Sequence, residues 1–142
     1  MNQKLANINR IILHCTDTPD TMSVDINLVK EWHLKRGFSD VGYHYLIRKN
    51  GDIEYGRSLT TVGAHTLGQN LNSIGIAYEG GWKEIDDRTC EQKDALGYVI
   101  NSLKRVLPSK IDIHGHNEYS SEKACPNFNA YEEYNYEGVY EG

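Results

Sequence analysis

The chain has 142 residues, 15 basic and 20 acidic, for a formal net charge of −5. That length suits a single domain with a genuine core, and the negative balance argues against nucleic acid as the main partner. Three cysteines make no even set for a disulfide framework, and no stretch approaches the roughly 20 apolar residues of a membrane span.

The opening residues through Asn9 are polar and do not resemble a signal peptide, so we expect synthesis in the cytoplasm and retention there until release. Residues 9–15 (NRIILHC) are apolar on both faces and predict a buried strand. Loop chemistry follows at Thr16-Asp17-Thr18-Pro19-Asp20. Ser23 is a candidate N-cap for a helix to Arg36, with Leu28, Val29 and Trp32 on one stripe and Gly37 as the stop. Strand formers fill 42–48. The Asn50-Gly51 pair then predicts a hairpin into a returning strand over 53–56. Residues 58–73 form a long polar connection, a place where compact domains often put function. A short buried strand over 74–78 ends at Gly80-Gly81. Thr89-Cys90-Glu91-Gln92 fits a capping box, behind which Leu96, Val99, Ile100 and Leu103 recur at helical spacing as far as Pro108. A last strand is expected over 110–114. Strand, helix, hairpin, strand, helix, strand predicts an α/β (α+β) single domain, a central mixed β-sheet flanked by helices.

The stretch DIHGHNEYSSEKACPNF, residues 112–128, concentrates the chemistry. Imidazole and thiolate are the side chains zinc favours. His116 and Cys125 are far enough apart for the chain to loop back, and His14, at the end of an apolar run, is the best third donor. Two histidines and a cysteine leave one tetrahedral position open, the arrangement of a catalytic zinc. His14 and His116 both stand at predicted strand ends, where open sheets place their sites. His114 alternates with His116 and could face the same way, and spacing alone does not choose between them. Cys15 and Cys90 read as free thiols, His33 and His44 as structural, Trp32 as core, and Trp82 as core or groove wall.

GYHYLIRKNGDIEYGR, VGAHTLGQNLNSIGIAYEGG and GHNEYSSEKACPNF, following IILHCT, resemble the zinc-dependent N-acetylmuramoyl-L-alanine amidases, which include the amidase-type bacteriophage lysozymes and the peptidoglycan recognition proteins. The likeness runs from about Ile11 to Phe128. It implies an amidase domain over 1–130 with a zinc site in a surface groove, and one Zn2+ per chain held by His14, His116 and Cys125. It implies that Tyr43 and Lys123 assist the metal in catalysis, and that His65 lines the substrate groove. A second branch of the family carries a glutamate base where this chain has Ala77, and Glu79 shares that face but not the register. The resemblance therefore places this chain with the tyrosine-and-lysine branch and assigns no general base. Glu118 reads either as support for a metal ligand or as a plain surface carboxylate.

The implied reaction is hydrolysis of the amide between N-acetylmuramic acid and L-alanine in peptidoglycan, by a monomer that reaches the wall after release. Two other functions compete with it. A non-cutting peptidoglycan-binding module typically lacks the cysteine that stands here as Cys125. The acidic, tyrosine-rich tail, residues 131–142, could instead contact a protein partner such as a polymerase, and we expect it to be partly docked by its tyrosines.

Overall fold

A computed structural model describes residues 1–135. Five strands form one sheet in the order β3-β2-β4-β1-β5. These are β1 (Arg10–Cys15), β2 (Tyr45–Ile47), β3 (Ile53–Tyr55), β4 (Ser73–Tyr78) and β5 (Asp112–Gly115). β1 pairs in parallel with β4 and β5, β4 pairs in parallel with β2, and only the hairpin strand β3 runs antiparallel, at the edge. The expected mixed sheet is present. The parallel strands bring the C-terminal ends of β1, β4 and β5 to one edge, and the chemistry gathers there.

Alternation along the strands sorts the two faces. Ile11, Leu13, Ile74, Ile76, Tyr78 and Ile113 turn toward Leu96, Val99, Ile100 and Leu103 of α2 (Cys90–Val106), which covers one face. Leu46 and Ala77 pack with Val24, Val29, Val41 and Trp32 on the other, under α1 (Ile26–Lys35). β1, lying mid-sheet, contributes to both sides and is buried from Ile11 to Cys15.

Local chemistry sets the boundaries. The capping box of α2 is formed: Thr89 Oγ1 accepts the Gln92 N–H and Gln92 Oε1 accepts the Thr89 N–H, both at 3.0 Å. The cap of α1 is Asp25 rather than Ser23, its carboxylate accepting the Leu28 N–H at 2.8 Å. Ser23 does not serve as the cap: the Ile26 N–H it would accept goes to Glu54, and its hydroxyl accepts from Arg48. β2 is shorter than the 42–48 expected. Gly42 N–H donates to His33 Nδ1, and Tyr43 and His44 bond through loop and strand-end partners.

The boundary expected at 130/131 falls inside a helix, α3 (Ala130–Tyr134), which is docked on the domain. Tyr134 is buried in the core, and Glu133 pairs with the buried Arg88, which also holds Asp86 and lies 3.4 Å from the Phe128 ring centroid. Just beyond, the Asn135 carboxamide donates to the Ile113 carbonyl at 2.8 Å and accepts the Ile113 N–H at 2.9 Å. The expected protein contact through the rest of the tail lies outside the described residues.

Candidate functional site

His14 is the penultimate residue of β1, and the register Ile12↔His114, Leu13↔Gly115 carries β5 up beside it so that His116, one step past the last pair, comes level with His14. Their rings stand 4.7 Å apart, centroid to centroid. His114 sits two residues lower, opposite Ile12, and is engaged elsewhere, bonding Glu118 at 2.8 Å and packing on Tyr119 and Tyr131. Glu118 therefore bonds His114 and the Gly115 N–H, closing the 3-10 turn His116–Glu118 rather than supporting His116.

The 116–125 loop returns Cys125 to the same point. Asn117 clamps its two ends, its N–H donating to the Cys125 carbonyl at 2.8 Å and its carboxamide to the Ala124 carbonyl at 3.1 Å. Tyr78 donates to the Pro126 carbonyl at 2.8 Å, and the Asn127 amide donates to the carbonyls of Gly81 and Ile85. Cys15 N–H then donates to Cys125 Sγ at 3.0 Å. As a result, one ligand atom from each of His14, His116 and Cys125 lies within 4.8 Å of the others.

This donor set fits a soft divalent ion. Burial first, then the neighbouring His65 and His116, holds His14 well below the usual histidine range, and burial lowers His116 as well, so both rings are neutral and keep a lone pair to give. The hydrogen bond with Cys15, together with burial, pushes the Cys125 thiol up, so its thiolate calls for a nearby cation. Two imidazoles and a thiol are the ligands of zinc rather than of calcium or magnesium.

The three donors lie in a groove of about 920 Å³ that is also lined by Tyr43, His65, His33, Arg36, Phe38 and Lys123. The Tyr43 ring is 5.2 Å from that of His14, and burial pushes its phenol well above its ordinary value. Lys123 is exposed, and no ion pair holds its ammonium among the described residues. His65 reaches the groove, but its ring nitrogens bond inward, to His14, Thr66 and Ser73.

Glu79 lies apart from this groove, beyond the end of β4. Its carboxylate accepts from the Val24 and Lys49 N–H groups and from Arg48, and it lines a separate cavity of about 340 Å³. Trp82 is half-exposed and lines neither cavity. His44 is structural as expected, joining Gly75 N–H to the Thr61 carbonyl. His33, expected only to be structural, is also a groove residue; its place in the sequence carries no sign of that.

The family model described as N-acetylmuramoyl-L-alanine amidase matches residues 4–128. The chain belongs to that family. Among curated relatives, this amidase is 35% identical over 127 residues to the endolysin of Enterobacteria phage K11, covering 84% of this chain and 81% of the relative. Among solved structures, it resembles the N-acetylmuramoyl-L-alanine amidase LysC from Clostridium intestinale, with a TM-score of 0.79 and 31% identity over 94% of this chain and 85% of that one. It also resembles the peptidoglycan recognition protein LC ectodomains solved with tracheal cytotoxin, with a TM-score of 0.78 and 26% identity over 93% of this chain and 82% of that one. The amidase acts on peptidoglycan, and no helix among its described residues is long and apolar enough to cross a membrane.

Proposed function

We propose that this amidase is a zinc-dependent endolysin in which one ion, held by His14, His116 and Cys125, serves cleavage of the bond between the lactyl group of N-acetylmuramic acid and L-alanine. The observation that carries the reading is the convergence of those donors in a groove shared with Tyr43 and Lys123. When bound, zinc supplies Lewis acidity and makes a water acidic enough to ionise near pH 7.

The chain's own groups do the rest. The muropeptide lies in the groove, and peptidoglycan recognition protein LC accommodates tracheal cytotoxin on the same fold. Lys123, an exposed ammonium on the groove, meets the negative charge that develops on the carbonyl oxygen. Tyr43, whose burial keeps its proton in place at neutral pH, donates to that oxygen or to the leaving nitrogen. The phage relatives are named endolysins; in this reading the protein acts on the wall after release from the cytoplasm, as a monomer.

Mass spectrometry of purified peptidoglycan digested with and without a zinc chelator tests this. New peptides with a free N-terminal L-alanine, absent when chelator is present, are the expected result. Cys125→Ser should lose both metal and turnover. A Cys125→Ser protein that kept zinc and still turned over substrate would overturn the ligand assignment. Zinc-loaded protein that cut neither wall nor soluble muropeptides would point to a binding module.

A further inference from the structure

His65 occupies a slot made for it. A Cβ at Gly75, on β4, would come within 2.5 Å of the His65 ring, and one at Gly63 within 2.6 Å. Only glycine at both positions leaves room for the ring where it stands. The Asn70 side chain fixes the turn that delivers it, accepting the N–H groups of His65 and Thr66, both at 2.9 Å.

The hydrogens around that ring can be assigned one by one. Ser73 donates its hydroxyl proton to the Asn70 carbonyl at 2.9 Å, and a carbonyl can only accept. The Ser73 oxygen is therefore left with lone pairs for His65 Nε2, 3.4 Å away, so Nε2 carries the hydrogen. In a neutral imidazole this leaves Nδ1 as an acceptor. Nδ1 lies 3.0 Å from His14 Nε2 and 3.0 Å from the Thr66 hydroxyl, which is itself 3.3 Å from His14 Nε2. Thr66 is buried. The 3.0 Å contact between the two rings needs one hydrogen between the nitrogens, and His65 Nδ1 has none to give, so His14 Nε2 bears it and the lone pair of that ring is on Nδ1.

We infer that His65 is a positioning residue of the metal centre: it accepts the Nε2–H of His14 and so presents Nδ1 of His14 to the ion. The order of hydrogens starts at a backbone carbonyl, Asn70, and runs through Ser73 and His65 to the ligand. This rests on the proposal that His14 is a zinc ligand, and it gives His65 a task separate from contact with substrate.

Two measurements test it. The first is zinc affinity, by competition with a chelating dye, for wild type, His65→Leu, His65→Asn and Ser73→Ala. Losing the partner of a metal-bound histidine typically weakens metal binding about 10- to 100-fold, and that is the loss expected for His65→Leu. His65→Asn sets a carboxamide oxygen where Nδ1 was and should recover most of the affinity. Ser73→Ala, which leaves the ring in its slot, should show a smaller loss in the same direction. A folded His65→Leu protein with wild-type zinc affinity and a raised KM overturns the inference and leaves His65 as a substrate contact.

The second measurement is long-range 1H–15N NMR of His14. A proton on Nε2 with zinc on Nδ1 is expected, and zinc on Nε2 overturns the assignment even if a variant fails to fold. If wild type binds no zinc, the zinc reading of the site fails. The His14 tautomer of the metal-free protein then still tests the hydrogen-bond order by itself.

Discussion

Burial holds the Tyr43 phenol in its protonated form, whereas Lys123 stands in water on the same groove. The two therefore contribute differently. Tyr43→Phe removes a proton donor and should lower kcat by about 10²- to 10⁴-fold, and Lys123→Ala removes charge stabilisation and should cost about 10²- to 10³-fold. Zinc content, measured by atomic emission, should stay at one per chain in both. A drop in zinc would instead make either residue part of the metal site's architecture. His14 and Cys125 are legible in the sequence as candidate donors because donor types and strand ends are local properties. The choice of His116 over His114 is not, because it depends on how β5 registers against β1. The slot behind His65 is hidden for the same reason. Gly63, Ser73 and Gly75 look like loop and strand filler until the 58–73 connection folds back over β4.

At the scale of elements, α2 is readable from its cap and its apolar period, since both lie within one segment. The start of α1 is misread at Ser23 because Glu54, far along the chain, takes the Ile26 N–H that a Ser23 cap would accept. α3 is missed as a helix because its short, acidic, tyrosine-rich sequence has no apolar period, and its stability comes from Arg88. That guanidinium is almost wholly buried between Asp86 and Glu133, which themselves reach water. Breaking a fully buried pair costs about 3–5 kcal/mol. With half-exposed carboxylates left behind, Arg88→Met should cost about 2–3 kcal/mol in a urea titration. A chain ending at Ala130 should lose at least as much stability, since it removes Glu133 and Tyr134 together. Wild-type stability for that truncation would restore the boundary at 130.

For the molecule as a whole, the two-faced sheet follows from strand composition, and buried histidines make it sensitive to acid. Burial, with smaller effects from Arg36 and Arg57, holds His33 down to about 4, and burial lowers His44 too. Both accept a backbone N–H on Nδ1, which requires the neutral ring. The unfolded chain takes up these protons near pH 6.5 and the native one does so only near 4 for His33, so stability is complete above about pH 6.5 and falls across that window. His33 alone should account for a loss on the order of 2 kcal/mol by pH 5. Glu79, Asp86 and Glu133 are held below the usual carboxylate range and protonate later, so they do not produce this early loss. Urea midpoints measured in chelator between pH 7.5 and 5 check it, and a flat profile would mean these rings charge freely in the fold.

β5 is the outermost strand on its side of the sheet, and such a strand offers bare N–H and C=O groups to any other chain that drifts alongside. Asn135 answers both groups of Ile113 with one carboxamide, acting as a single residue of a neighbouring strand that the described residues do not supply. Its value then lies in how the protein behaves among its own copies at the concentrations reached before a cell lyses. Asn135→Ala should leave turnover in dilute solution intact while light scattering rises steeply with protein concentration, as uncapped edges join into lengthening stacks.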